Sequence, residues 1–472
     1  MNESSTLRRL RSWPTLVGVV AATALTVTAC GSSDDSGGGG GDSKSSGAQT
    51  QSLEEINVKA TGAGAVKVGT SCGDTVPVGP TNKDGAAYQS MSDRLKDVYS
   101  SYPEAIEESP WATKKIDKKP PWKIGYITVG VSNQYQNNVL KSLKEEFAEA
   151  KKQGLVEGEL VTNIPPSLAQ STPESQIAAM KQMASQGVDA IIVNPADSVA
   201  ESATMEELGE KESIPIILAN VPPAPGSKYQ TATWTQNQVE ADAGTLGIID
   251  QSKSGKKNIL IVRGIAGNQN DKVLYNQKVQ DLKNCPDIEV GSVLYGNWDN
   301  GTVKQVVSQY LASHPEPIDG VLQDGGMFAG VVQAFEARGI DVPPVGMEQC
   351  YAGDLSWWLE RKDTYKTVAG CINGLQGGYV YFNTALRILA NKGPKYNVLS
   401  IPAVVIDNTN LEAYAQPGLP LTSDLELPGP KTAWCDNTCL DEYFNEPGPA
   451  GGESASGGDE DPSASAESEE QG

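Results

Sequence analysis

Apolar residues in this chain fall in short unbroken runs that stop at turn residues, with longer stretches of helical spacing between them. The run 190–193, AIIV, shows the pattern most plainly. Four apolar residues without alternation read as a parallel strand buried on both faces. Asn194-Pro195 ends it, because proline cannot donate to a ladder. Asp197 or Ser198 is then placed to cap a helix over 199–211. Asn194 and Asp197 therefore stand at the carboxyl end of a central strand, where open α/β sheets bind ligands.

The same alternation runs from Trp122 onward. KIGYITVG predicts a strand and 137–152 a helix; STPESQIAAMKQMASQG predicts a helix opened by Ser or Thr with Pro in its first turn and closed by Gly187. A further strand is expected over 216–219. A second set follows: helix 237–252, strand 258–262, helix 271–283, strand 290–295, helix 302–313, strand 321–323, helix 327–338, and strands 345–347 and 366–369. Strands and helices alternating at this spacing build parallel sheets from right-handed crossover units. Two sets predict two similar lobes. Upstream, 86–107 holds a weakly amphipathic helical stretch with Tyr88, Met91, Leu95, Val98 and Tyr99 near one face. KKIDKKPPW, 114–122, is a charged connector marked by proline.

The ends change the picture more than the middle. Arg8, Arg9 and Arg11 precede the apolar run 16–27, too short to span a bilayer, so 1–29 reads as a signal peptide. It ends in VTAC, which resembles the bacterial lipobox and makes Cys30 the expected lipidated first residue of the mature chain. Residues 31–51, rich in Gly and Ser, form a flexible tether that with Cys30 leaves the domain anchored at the outer face of the cytoplasmic membrane. The chain has 472 residues, 59 of them acidic and 37 basic, for a net charge of -22. No basic patch invites nucleic acid. Seven of the acidic residues, with no Lys or Arg, sit in the tail 450–472, which has neither periodicity nor a core and is expected to be disordered. Six cysteines remain after Cys30: Cys72, Cys285, Cys350, Cys371, Cys435 and Cys439. An even count in an exported chain suggests disulfides, with Cys435 and Cys439 near enough for a local bridge. The one histidine, His314, reads as a helix C-cap, so no metal site and no cofactor are expected.

The motifs NPADS at 194–198, IPIILAN at 214–220, NILIVRGIAGNQND at 258–271, YGNWDNGT at 295–302, GVLQDGGMFAGVVQAFEARG at 320–339 and PPVGMEQC at 343–350, in that order, resemble the ribose-binding type of periplasmic sugar-binding protein. That family is type 1 among the binding proteins that serve ABC importers, and the likeness covers roughly 121–410. It implies an α/β fold of two similar lobes, their parallel sheets flanked by helices, joined by a hinge of three crossings. Lobe one would be 121–234 with 372–400, and lobe two 235–371 with 401–415. Residues 52–120 would be an appended segment and 416–449 a C-terminal extension. The family also implies that the strands before Cys350 and Cys371 share a sheet, so that these two pair; Cys72 would pair with Cys285.

What the resemblance implies about the site comes residue by residue. Sugar sites of this family combine stacking rings with planar polar groups, since one sugar face is apolar and its hydroxyls need donors and acceptors. Asn133 and Tyr135 in SNQYQNN, Asn194, and Trp298 in YGNWD match the family pattern. Gln323, Asp324 and Glu348 fall in the motifs LQDGG and VGMEQ, with Gln and Glu replacing the usual residues. Asn220 stands where the family has the Asp of an Asp-Arg pair, Thr235 follows at the first crossing, and Lys272 lies near a second missing arginine. Losing two forked donors while keeping Asp324 and Glu348 points to a neutral sugar or polyol, or an amine-bearing ligand. The expected partners are that small ligand and an ABC permease with its ATPase. The rival is a surface sensor that presents its ligand to a membrane receptor. An enzyme is disfavoured: there is no phosphate-binding loop, no nucleophile elbow and no paired metal motif.

Overall fold

A computed structural model describes residues 79–445 apart from 100–101, 131–132, 167–169, 236, 253–256, 284, 286 and 427–436. The expected signal peptide, Cys30, tether, Cys72, Cys435 and acidic tail lie outside the described residues. Among the described residues, no helix is long and apolar enough to cross a membrane.

Two sheets organise the chain. The first holds six parallel strands in the order β11-β5-β4-β3-β1-β2: β1 (Ile124–Ile127), β2 (Val161–Asn163), β3 (Ala190–Val193), β4 (Ile216–Ala219), β5 (Gln230–Thr235) and β11 (Val398–Ile401). β3 is buried along its whole length, as an unbroken aliphatic run between two helical layers requires. The second sheet is built from β7-β6-β8 and β12-β10-β9: β6 (Lys257–Arg263), β7 (Ile288–Tyr295), β8 (Gly320–Gln323), β9 (Met347–Gln349), β10 (Ala369–Ile372) and β12 (Val404–Ile406). A parallel bridge between Val321 and Val345 joins its two halves, and β12 runs antiparallel to β10.

Helices cover both sheets. In chain order they are α1 (Ala86–Gln89), α2 (Asp93–Val98), α3 (Gln134–Lys152), α4 (Pro173–Ser185), α5 (Ser198–Lys211), α6 (Asn237–Gln251), α7 (Gln269–Leu282), α8 (Asn300–Ser313), α9 (Phe328–Glu336), α10 (Ala352–Leu359), α11 (Gly374–Leu389) and α12 (Asn437–Asp441).

 The ends of these helices follow local chemistry: Thr172 and Ser175 form a reciprocal capping box on α4, Asp197 caps α5 with two bonds, and Asp299 caps α8. His314 is the C-cap of α8, its Nδ1 3.0 Å from the Tyr310 carbonyl oxygen.

The chain passes between the lobes at three places: after β5, between β10 and α11, and between β11 and β12. Helix α11 packs against α3 and β4, which ties it to the first lobe. The segment 79–120 is built into that lobe's core. Tyr99, Tyr102 and Trp111 are fully buried, the Tyr99 hydroxyl donates to the Val398 carbonyl, and Trp111 Nε1 donates to the Tyr229 carbonyl at 3.1 Å. Leu440, Tyr443 and Phe444 join the same core from the C-terminal side.

Several elements differ from the sequence pattern. The stretch 86–107 is not one helix: α1 and α2 are separated at Ser90–Ser92, where Ser92 starts a new helix by accepting from the Leu95 N–H. Strands β9 and β10 begin two and three residues later than the pattern places them, at Met347 and Ala369. The apolar residues before each are core residues of the approach, and pairing starts only where the two strands meet. Strand β5, QTATWT, is not anticipated because it is half threonine, yet all six residues are buried. The Thr233 hydroxyl is satisfied by donating to the Leu218 carbonyl at 2.8 Å, which lets a polar side chain sit inside a sheet.

Candidate functional site

Between the lobes lies a cavity of about 300 Å³. The first lobe contributes residues that directly follow strands or open a helix: Asn133 to Gln136 at the start of α3, Asn194 after β3 and Asn220 after β4. The second lobe contributes Glu240, Asn270, Leu274, the loop Trp298–Asn300, Gly325, Gly326, Gln349, Tyr351 and Asp354. Ala329, Gln333 and Ile372 also line it, and the segment 421–424, beyond the last strand, completes the wall.

Five of the ten residues singled out as ligand contacts line this cavity: Asn133, Tyr135, Asn194, Asn220 and Trp298. Asn133 is held as the N-cap of α3, its Oδ1 accepting from the Gln136 N–H at 2.9 Å. Tyr135 is buried, with its hydroxyl 3.1 Å from that of Tyr381. Asn194 Nδ2 donates to the Ala219 carbonyl at 3.2 Å. Asn220 has a left-handed backbone, φ 56°, which asparagine tolerates better than most residues. Its Oδ1 accepts from the Thr235 N–H at 3.0 Å and from the Thr235 hydroxyl at 2.5 Å. Trp298 also has positive φ, 54°, in a bulky residue for which that backbone is strained. Its indole lies against Gly264, where a side chain would collide with it, and it is half-buried.

The other five are placed elsewhere. Thr235 supports Asn220 and is not part of the cavity wall. Lys272 is exposed: on α7 it is Asn270 and Leu274, one helical turn apart, that face the cavity. Gln323, Asp324 and Glu348 are fully buried behind the wall. Gln323 bridges strands and helix, donating to the Gly346 carbonyl at 2.7 Å and accepting from the Met327 N–H at 3.0 Å. Asp324 and Glu348 share one cation, Lys278, whose Nζ is 2.8 Å from Asp324 Oδ1 and also bonded to Glu348 Oε1. These side chains point into the lobe because the ammonium they need lies there. Burial pushes the Glu348 carboxyl up to about 7, against the opposing pull of Lys278.

Of the polar cavity residues that sequence reasoning missed, three carry buried atoms without a hydrogen-bond partner. Glu240 on α6 is 1% exposed, and neither carboxylate oxygen has a hydrogen-bond partner. Asp354 Oδ2 and Asn270 Oδ1 are likewise buried and unpartnered. The helices of Glu240 and Asp354 carried no motif, Asn270 falls at the end of the motif 258–271, and only the fold turns these positions toward the cleft. A further omission is the segment 421–424, which sequence placed in an extension of no stated role. Cys350 and Cys371 have sulfurs at bonding distance and Cα atoms 5.3 Å apart. Cys285 and Cys439 are buried, and the partners expected for them lie outside the described residues. Among the described residues no group of His, Cys, Asp and Glu is arranged to hold a metal ion.

Two α/β lobes closing on a polar cavity lined also by aromatic rings define a solute-binding protein fold. Residues 124–369, more than half of the chain, match the periplasmic binding protein domain family, and the chain belongs to that family. It is 28% identical over 184 residues to the xylitol-binding protein of Mycolicibacterium smegmatis, covering 38% of this chain and 51% of that protein. The match thus spans about half the length of that relative. To the ribose import binding protein of Bacillus subtilis it is 22% identical over 247 residues, 52% of this chain and 75% of that one. Among solved structures, an ABC transporter solute binding protein from Thermobispora bispora is similar with a TM-score of 0.55 at 20% identity, over 63% of this chain and 91% of that one. Another from Bacillus halodurans, with bound myo-inositol, has a TM-score of 0.51 at 19% identity, over 63% and 98%. The last two share the fold.

Proposed function

We propose that the chain is an extracytoplasmic solute-binding lipoprotein that captures a small sugar or sugar-like polyol between its lobes and delivers it to an ABC permease and its ATPase. The observation that carries this reading is the cavity itself. A tryptophan ring and four side-chain amides, those of Asn133, Asn194, Asn220 and Asn270, converge on one space from both lobes. A ring suits an apolar sugar face and amides suit hydroxyls. The family, and relatives whose names state xylitol and ribose, support the same ligand class. Such a protein binds and releases without chemistry, so it is not an enzyme.

Anchoring through a lipidated Cys30 belongs to the same proposal, on the strength of the arginine-led apolar run, VTAC and the Gly-Ser tether. So do the disulfide Cys350–Cys371, whose sulfurs are in place, and the pairs Cys72–Cys285 and Cys435–Cys439.

A thermal-shift screen of the mature protein against sugars and polyols tests the function, since a ligand that binds only the folded state raises its melting temperature. At least one sugar or polyol is expected to do so at micromolar to millimolar concentration; none doing so sinks the reading.

A further inference from the structure

We propose that the ligand selected by this cleft carries a protonated amine beside its hydroxyls, with the Glu240 carboxylate as its counter-ion. This rests on the reading of the cleft as a small-solute site and narrows the class of solute.

The unpartnered atoms decide it. Glu240 Oε1 and Oε2, Asp354 Oδ2 and Asn270 Oδ1 are buried, line the cavity and lack hydrogen-bond partners. With the carboxyls ionised all four are acceptors, so a partner that ionises them must be rich in donors. Charge points the same way. The ionisable carboxylates on the described wall are Glu240, Asp299, Asp354 and Asp424, and no lysine, arginine or histidine accompanies them there.

Behind the wall no cation is hydrogen-bonded to Glu240, although the charge of Lys278 favours its ionised form. Lys278 on α7 already serves Asp324 after β8 and Glu348 on β9, one ammonium for two carboxylates. Arg263 is engaged by Asp271, with Nη2 to Oδ2 at 2.5 Å. From the first lobe the group facing Glu240 is the Tyr135 hydroxyl, which carries no positive charge. A buried carboxylate in that position is either protonated or paired. Burial, then the charge of Glu348, pushes the Glu240 carboxyl well above its ordinary value against the pull of Lys278, and so favours its protonated form while no counter-ion is bound. A neutral polyol leaves that proton in place. An ammonium displaces it: the Glu240 O–H bond breaks, the proton goes to solvent, and the carboxylate accepts N–H donors from the ligand while Asp354 and Asn270 take further donors.

The test is calorimetry at pH 7.5 with matched probes: D-glucosamine against D-glucose, D-galactosamine against D-galactose, N-methylglucamine against sorbitol, and serinol against glycerol. In at least one pair the amine is expected to bind about tenfold tighter or more. Its binding enthalpy should vary with the ionisation heat of the buffer, as release of close to one proton requires. Glu240→Gln, which keeps shape and removes charge, should abolish both the preference and the proton release. The wild-type proton count stands by itself if that variant does not fold. Neutral members binding as well as or better than their amines overturns the inference and leaves the polyol reading standing. Binding by no member of any pair overturns both. An amine preference that persists unchanged in folded Glu240→Gln also overturns the assignment to Glu240.

Discussion

The Glu426 carboxylate accepts the backbone N–H of Gly374 at 2.9 Å and, with its second oxygen, that of Leu375 at 2.8 Å. Gly374 opens α11, a helix of the first lobe, while the chain leading to Glu426 lies on the second. Leu419 N donates to Ser356 Oγ at 3.0 Å, Gly353 N to the Ser423 carbonyl at 3.1 Å, and Ala352 N to the Leu425 carbonyl at 2.7 Å. Segment 416–426 is therefore a fourth link between the lobes, and it carries the cavity wall 421–424. Glu426 serves the first two N–H groups of α11 and Asn373 the third, a favourable place for negative charge.

Glu426→Ala removes that link. It is expected to weaken ligand binding by about 1–3 kcal/mol, because a closed form loses two charge-assisted bonds that an open form does not make. Stopped-flow release should show the change mainly as faster dissociation. An unchanged release rate would mean that the link holds the helix without holding the lobes.

Trp298→Ala should weaken binding by about 1–3 kcal/mol, tenfold to a hundredfold, through loss of a stacking face and its buried area. The melting temperature of the unliganded variant should change little, because the indole lies at the cavity against glycine backbone and alanine keeps the Cβ, so the backbone strain at φ 54° is the same in both. A collapse in melting temperature with unchanged affinity would make Trp298 a packing residue.

Lys278→Met should destabilise the fold by about 3–5 kcal/mol, since Asp324 and Glu348 would be left buried without their cation. Denaturant titration measures this. Asp324→Asn and Glu348→Gln are expected to move stability more than affinity, because both lie behind the wall.

Stability should fall as pH rises from 5 to 8. Burial raises Glu201, Glu348 and Glu426 to about 7 and Asp281 to about 6. A carboxyl raised in the folded state binds its proton more tightly there than in the unfolded chain. Its contribution is therefore complete below the unfolded value and is lost as pH climbs through the folded one. The unliganded protein should melt at least about 2 °C higher at pH 5 than at pH 8 by scanning calorimetry. The opposite slope would mean that these carboxyls are ionised in the folded protein at low pH.

Whatever depends on neighbours a few residues away was legible in the sequence. The run AIIV is a strand with those bounds, Asp197 caps the helix after it, and the ordered motifs from 194 to 350 carry the family and its two lobes. Asn133, Tyr135, Asn194, Asn220 and Trp298 could be placed at the cavity because each follows a strand end or opens a helix, where topology alone sets position. The tertiary structure decided the rest. Residues at the same strand ends split by direction, and Gln323, Asp324 and Glu348 turn inward to partners such as Lys278, 70 positions from Glu348. Glu240 and Asp354 sit on helices without any motif, and they face the cleft only because of how those helices pack. Segment 421–424 becomes a wall through bonds to residues some 50 to 70 positions earlier. Hydrogen bonds and ion pairs of that span have no periodicity to read; they exist only once the two lobes are brought together.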